Sequence, residues 1–180
     1  MHSIIPLPQG VESLHKLAKC LTILCADCPE PRCPWPTAFS LKQFLWSHHG
    51  AKLAVVGADA RWWCDERLPK AVIETLMLAF QPSTVISGAC PYGGVDTWAE
   101  EIARAHGIPV IAFPPRGRAW RYYRERNTRI AREADVIVDV EPYGRAWSGG
   151  MWTLRYATRV LGKAGLRVDV SPKKLLLSFF

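Results

Sequence analysis

Two glycine-rich turns contain the residue types with which proteins bind anions. The first, "SGACPYGGVD" at 87–96, follows an apolar run, and the second is "SGGMWT" at 148–153; each leads into a helical pattern. Glycine lets the backbone approach a ligand closely, and a helix start offers unpaired N–H groups and a positive dipole end. The candidate ligand-binding residues in the two turns are Ser87, Gly88, Ala89, Gly93, Gly94, Val95, Asp96, Ser148, Gly149, Gly150 and Thr153.

A third segment, "RERNTRIAREAD" at 124–135, adds Arg126 and Asn127 to these candidates. Asn127 falls on the apolar stripe of a predicted helix, where an unpaired amide would cost about 1–3 kcal/mol. Gly57, at the end of another apolar run, completes the ligand-binding set. Convergence of these residues predicts a phosphate site, with Arg126 and Asp96 as candidate catalytic residues. The alternative is that the glycines serve tight packing and that Asn127 is a core amide satisfied within the fold.

Four of the six cysteines lie in "CLTILCADCPEPRC", at positions 20, 25, 28 and 33. Thiolates are soft ligands that suit zinc or an iron–sulfur cluster. The C-x4-C-x2-C opening is similar to the plant-type ferredoxin spacing, whereas zinc sites usually contain two C-x2-C pairs. We therefore predict that Cys20, Cys25, Cys28 and Cys33 bind a metal, either as an iron–sulfur cluster or as zinc. Buried free thiols are the alternative.

The charge balance favours an anionic partner. The formal net charge is +7, and residues 116–132 contain seven arginines against one acidic residue, Glu125. Such a balance suits a nucleotide, a nucleic acid or an acidic protein, although a solvated basic face would look the same. No apolar run approaches the roughly 18 residues of a membrane span, and the start of the chain does not resemble a secretory signal. These features predict a cytoplasmic protein without a membrane partner.

Strand and helix patterns alternate along most of the chain. The predicted strands are 52–57, 83–88, 108–113, 135–140 and 166–170, and the predicted helices are 38–48, 68–80, 95–106, 119–133 and 150–163. This alternation predicts an α/β fold, a Rossmann-like doubly wound parallel sheet of about five strands with an N-terminal cysteine-rich appendage. Ligands bind such sheets at the carboxyl ends of the strands.

The same patterns predict three regions. Residues 1–50 form the cysteine-rich segment with the metal site and a helix, residues 51–171 form the nucleotide-binding domain, and residues 172–180 form an apolar tail that docks on the body or on a partner. Trp62 and Trp63, which closely follow Gly57, are candidates for stacking on a base, with packing as the alternative.

The order of these motifs resembles the SLOG superfamily, which includes the Smf/DprA proteins, the cytokinin-activating LOG enzymes and the YspA-like proteins. The resemblance covers residues 52–170 and does not include the cysteine segment. The SG-x(n)-GVD turn and the RN-x2-IA-x2-AD segment are most similar to the YspA-like branch. Membership of this superfamily would imply a Rossmann-like domain that binds a nucleotide or a nucleotide derivative.

The LOG enzymes offer a more specific resemblance. Glu125 and Arg126 match their E-R-K segment, and Gly149, Gly150 and Thr153 match their P-G-G-x-G-T segment. LOG enzymes release the base from a nucleoside monophosphate. Here Trp152 replaces the middle glycine and Tyr156 replaces the catalytic glutamate, so the carboxylate that would stabilise an oxocarbenium-like transition state is missing.

Three functions follow from these patterns. We expect first a nucleotide-binding protein, in which Arg126 and the glycine-rich turns hold the phosphate. A LOG-like N-glycosidase or phosphoribohydrolase is the second possibility, and a DprA-like single-stranded nucleic-acid-binding module with residues 116–132 as its basic surface is the third. A homo-oligomer is compatible with each.

Overall fold

A computed structural model describes residues 2–6, 36–172 and 174–180. The predicted metal ligands Cys20, Cys25, Cys28 and Cys33 lie outside these residues. Among the described helices, none combines the length and apolar character needed to cross a bilayer.

The described residues form an α/β fold around a mixed, mostly parallel sheet. Its strands are β1 (His2–Pro6), β2 (Lys52–Gly57), β3 (Thr84–Ser87), β4 (Val110–Ala112), β5 (Val136–Pro142), β6 (Ala164–Val170) and β7 (Lys174–Phe179). The helices are α1 (Pro36–Ser47), α2 (Arg67–Phe80), α3 (Val95–Ala105), α4 (Trp120–Glu133) and α5 (Gly149–Arg159), and a short 3-10 helix spans Ala60–Trp62.

The strand order is β1-β7-β6-β5-β2-β3-β4. Strands β6, β5, β2, β3 and β4 run parallel to one another, whereas β7 is antiparallel to both β6 and β1. The chain builds outward from β2 to β4 and then returns to place β5 on the other side of β2. Strand order therefore reverses between β2 and β5, and the carboxyl ends of these strands border a crevice.

The sheet is larger than predicted because residues 174–179, within the predicted tail, form β7. Leu175 and Leu177 are buried in the core, whereas Leu176 between them is more accessible. This alternation is the period of a strand with one face against the core. A tight turn joins β6 to β7, in which Ser171 N donates to Lys174 O at 3.0 Å.

Helices cover both faces of the sheet. Leu53 and Val55 of β2 pack in the cluster that contains α1, α2 and α3, whereas Ala54 and Val56 pack with α4 and α5. Alternate residues of one strand thus point to opposite hydrophobic layers. This packing places the first turns of α3 and α5 at the edge of the sheet where β2 and β5 end.

Candidate functional site

A cleft of about 230 Å³ lies at the carboxyl ends of β2 and β5, bordered by α3, α4 and α5. The predicted site residues that line it are Gly57, Asp96, Arg126, Asn127, Gly149, Gly150 and Thr153. The other predicted ligand-binding residues belong to the same two turns but are not among the described residues that line the cleft: Ser87, Gly88, Ala89, Gly93, Gly94, Val95 and Ser148.

The β3–α3 turn is built around an ion pair. Arg126 Nη1 donates to Asp96 Oδ2 at 2.7 Å, and these residues are 8% and 5% exposed. A Cβ atom on Gly88 would lie 1.4 Å from Arg126 Nη1 and 2.5 Å from Asp96 Oδ2. Gly88 is therefore required to make room for the ion pair, and the space that its missing side chain leaves is filled by the protein itself.

Three backbone donors of the β3–α3 turn are used within the protein. Ala89 N donates to Ser87 Oγ, Gly93 N donates to Cys90 O, and Val95 N donates to Ala58 O at 3.1 Å. Gly94 lies so close to the loop after β2 that a Cβ atom would be 2.5 Å from Ala58 O. Tight packing therefore explains why Gly94, the residue directly before α3, is a glycine.

Ser87 fixes the same turn to the body of α3. Its Oγ lies 2.7 Å from Glu100 Oε1 and 3.1 Å from Asp96 O, and Glu100 is also ion-paired with Arg104. Ser87 is completely buried. The serine therefore acts as a hydrogen-bonded brace between β3 and α3.

Two backbone donors of the β5–α5 turn have no acceptor within the helix. Ser148 is the N-cap of α5, and its Oγ accepts a hydrogen bond from Met151 N at 2.9 Å. The N–H groups of Gly149 and Gly150, the first two residues of the helix, have no intrahelical acceptor. Both residues line the cleft. The start of α5 therefore offers two N–H donors and the positive end of the helix dipole to an anion.

Asn127 holds this turn in place. Its Nδ2 donates to Gly149 O at 3.2 Å, and Thr153 Oγ1 donates to the same oxygen at 2.9 Å. Asn127 is 2% exposed, so the buried amide on the apolar stripe of α4 has its partner in the first residue of α5. The amide connects α4 with α5 across the cleft.

Close backbone contacts form the floor of the cleft. A Cβ atom on Gly150 would lie 2.7 Å from Gly57 Cα, and one on Gly57 would lie 2.0 Å from Val140 O. A side chain at either position would push β2, β5 and α5 apart. These two glycines allow the cleft to reach down to the end of the parallel strands.

A buried carboxyl group lies directly behind this floor. Asp139 is completely buried, and neither of its oxygens has a hydrogen-bond partner within the described residues. Burial raises the pKa of Asp139 well above its ordinary value, and the neighbouring Glu141 carboxylate raises it further. Burial also raises the pKa of Glu141, and the hydrogen bond that Ser148 donates to this carboxylate opposes the rise only in part.

Three further arginines line the cleft: Arg61, Arg118 and Arg145. Arg61 is held by Asp59 through two contacts of 3.0 and 3.1 Å, and Arg145 Nη1 lies 3.4 Å from Glu141 Oε2. Arg118 is exposed and has no ion pair within the described part of the chain. We did not identify these residues from the sequence, because they lie in loops without a regular spacing; the basic run 116–132 was the only signal for Arg118.

The predicted base-stacking tryptophans have other neighbours. The guanidinium carbon of Arg145 lies 4.2 Å from the centre of the Trp62 ring, and Trp63 packs edge-on against Trp98. Tyr156, at the position of the LOG glutamate, stacks on Trp152 with ring centres 5.2 Å apart. None of these five aromatic residues is among the described residues that line the cleft.

Within the described ranges, no group of three or more histidine, cysteine, aspartate or glutamate side chains is placed to hold a metal ion. Cys64 and Cys90 are free thiols in this part of the chain, and burial raises the pKa of Cys90, which lines the cleft. The metal site at the four N-terminal cysteines stays a prediction.

No family model, curated protein or solved structure matches this chain. The resemblance to the SLOG superfamily therefore stays a prediction from the motifs.

Proposed function

We propose that this chain is a nucleotide-binding protein with a Rossmann-like domain of the SLOG type, and that it holds the phosphate of its ligand at the start of α5. The observation that carries the proposal is the pair of N–H groups at Gly149 and Gly150, which have no intrahelical acceptor and line a cleft where strand order reverses.

The charges around the cleft support an anionic ligand. Four arginines line it, Arg61, Arg118, Arg126 and Arg145, against the two carboxylates of Asp59 and Asp96. Arg118 has no ion pair within the described residues. We infer that Arg118 is the phosphate-binding arginine and that Arg126, which is already neutralised by Asp96, is a positioning residue of the cleft wall.

The carboxylates favour binding over N-glycoside cleavage. Asp59 and Asp96, which line the cleft, are both ion-paired, with Arg61 and Arg126 respectively. Burial raises the pKa of Asp96, and the Arg126 charge opposes that shift. A carboxylate that stabilises an oxocarbenium-like transition state must present its charge to the sugar, and both of these charges are already shared with an arginine.

Calorimetric titration with nucleoside 5′-monophosphates and with the matching nucleosides tests this proposal. We expect the monophosphates to bind and the nucleosides to bind at least tenfold more weakly, because the charged hydrogen bonds to phosphate are lost. Arg118→Ala should weaken binding of the monophosphates by about tenfold. Arg116→Ala is the matched control, since Arg116 is exposed in the same loop but does not line the cleft.

Two results would contradict the proposal. One is the absence of binding for every monophosphate, and the other is equal binding of monophosphates and nucleosides. Release of free base from a bound monophosphate would instead support the N-glycosidase alternative.

One observation favours a second candidate, single-stranded nucleic-acid binding. A groove of about 630 Å³ runs along α4 beside the cleft, and Trp120 belongs to both. Its lining includes Arg121, Arg124, Arg129 and Arg132. Binding of a single strand through these arginines should weaken steeply with salt, and Arg124→Ala should reduce the slope by about one. Binding that does not depend on salt would exclude this function.

A further inference from the structure

Most of the exposed aromatic rings of the described residues have a cation over one face. Arg145 covers Trp62 at 4.2 Å, Arg61 covers Tyr92 at 4.4 Å, and Arg155 covers Trp147 at 5.1 Å. Lys174 lies over Tyr143 in the same way, at 4.6 Å. Such contacts use the negative face of the ring within the protein.

Trp120, Trp46 and Phe180 are the exposed aromatic residues of the described ranges with no cation over the ring, and of these three only Trp120, which is 51% exposed, lines the cleft. An exposed tryptophan presents a large apolar area to water. Within a cleft, such an area is typical of a ligand-binding surface.

Other aromatic rings lie beside Trp120. Trp152 meets it edge-on, with ring centres 6.2 Å apart and planes 88° apart, and Trp152 in turn stacks on Tyr156 at an angle of 8°. Trp152 and Tyr156 are two of the positions at which the sequence departs from the LOG motif. A neighbouring ring restricts the indole before a ligand arrives, which lowers the entropic cost of stacking on it.

The open ring and the anion donors line the same cleft. A nucleotide carries both complementary groups, a flat base and a phosphate. Stacking of a base on an aromatic side chain typically contributes about 1–3 kcal/mol, and it needs no hydrogen-bond pattern.

We propose that Trp120 is the platform on which the base of the ligand stacks, so that the cleft selects a 5′-mononucleotide over a sugar phosphate without a base. This inference rests on the proposed function, because the phosphate at the start of α5 sets the distance at which a base can reach the ring.

Calorimetric titration with the four common nucleoside 5′-monophosphates and with ribose 5-phosphate tests the platform. In the wild type, we expect every nucleotide to bind more tightly than ribose 5-phosphate, and the purine nucleotides to bind most tightly because their stacking area is larger. Trp120→Ala should weaken nucleotide binding by about 5- to 150-fold and leave the affinity for ribose 5-phosphate unchanged. Trp120→Phe should keep most of the nucleotide affinity.

Trp46→Ala is the matched control. Trp46 is 72% exposed on α1, a helix of the opposite hydrophobic layer, and its removal should change no affinity. A thermal unfolding midpoint for each variant shows that Trp120→Ala is folded, which its exposure leads us to expect. The nucleotides should also quench part of the tryptophan fluorescence in the wild type and in Trp46→Ala, but not in Trp120→Phe.

The outcomes separate the platform from the proposed function. If ribose 5-phosphate and the nucleotides bind the wild type equally, or if Trp120→Ala binds nucleotides like the wild type, the platform is wrong and phosphate binding stands. A folded Trp120→Ala variant could instead lose affinity for nucleotides and for ribose 5-phosphate equally. That result would mean that Trp120 maintains the shape of the cleft, and it would also overturn the platform. If no phosphate compound binds the wild type, both proposals are wrong.

Discussion

The two glycine-rich turns look alike in sequence and differ in the structure. In the β3–α3 turn, the backbone donors of Ala89, Gly93 and Val95 are bonded within the protein. In the β5–α5 turn, Ser148 Oγ takes only the donor of Met151, which leaves those of Gly149 and Gly150 without an intrahelical acceptor. The two turns therefore differ at the first residue of the helix, whose N–H group donates to Ala58 O in α3 and has no acceptor within the helix in α5.

Removal of the buried ion pair between Asp96 and Arg126 should cause the largest loss of stability among the changes that compare the two turns. Asp96→Ala removes the partner of Arg126 and leaves a charge inside the β3–α3 turn, which typically costs about 3–5 kcal/mol of unfolding free energy. Denaturant unfolding measures the loss. Asp65→Ala is the control, because its ion pair with Arg67 is on the surface and should matter little. An equally small loss for Asp96→Ala would show that the β3–α3 turn is not built on this pair.

Alanine in place of one glycine in each turn gives the next largest effect. Gly88→Ala would force a Cβ atom into the Arg126 guanidinium, and overpacking of this kind typically costs about 1–3 kcal/mol. Gly149→Ala meets only Asn127 Nδ2, at an ordinary contact distance of 3.6 Å, and should leave stability almost unchanged. Equal losses in chemical denaturation would remove the structural distinction between the turns.

Ser148→Ala tests the side-chain cap that the β3–α3 turn lacks. Loss of an N-cap typically costs about 1 kcal/mol, and loss of the hydrogen bond from Ser148 Oγ to the buried Glu141 carboxylate adds to that cost. Helix α3 offers the contrast because its N-cap, Gly94, provides no side-chain cap. Thermal unfolding of Ser148→Ala, with Ser83→Ala as an exposed control, measures the cost. No change in the unfolding midpoint would mean that Ser148 does not order the start of α5.

Asp139→Asn is the one change that we expect to stabilise. The folded-state pKa of Asp139 is raised, so the folded protein holds a proton that the unfolded chain releases above about pH 4. Wild-type stability should therefore fall relative to Asp139→Asn as the pH rises from about 4 towards the folded-state pKa. Unfolding free energies of both proteins across this range measure the difference, and parallel curves would show that Asp139 titrates normally.

The repeating elements could be predicted from the sequence because local patterns specify them. The five parallel strands and the helices that cover the sheet follow the apolar periodicity of the sequence. Helix α5 differs in one respect, because it ends at Arg159, before the predicted end at 163. Leu175, Leu176 and Leu177 form a continuous apolar run without alternation, which we interpreted as an apolar tail; their alternating burial in β7 is seen only in the structure. Strand β1 lies at positions where no strand was predicted.

The use of each turn could not be predicted, because it depends on residues distant in sequence. Whether Val95 N is free depends on Ala58 O, which belongs to the loop after β2. Whether Gly88 faces a ligand depends on the rotamer of Arg126, which belongs to α4, the third element after the β3–α3 turn begins. The spacing of residues within a turn does not show which distant residues contact that turn. It did identify Asn127, Gly149 and Gly150 as candidate site residues.

The pairing of β1 with β7 has a consequence for folding. His2 is opposite Ser178 and Pro6 is opposite Lys174, so this ladder joins positions that are separated by almost the whole described chain. Closing so long a segment is entropically costly and contributes to slow folding. Because β1 is an edge strand that pairs with a single described strand, β7, its amide protons should exchange with deuterium well before those of β2 and β5.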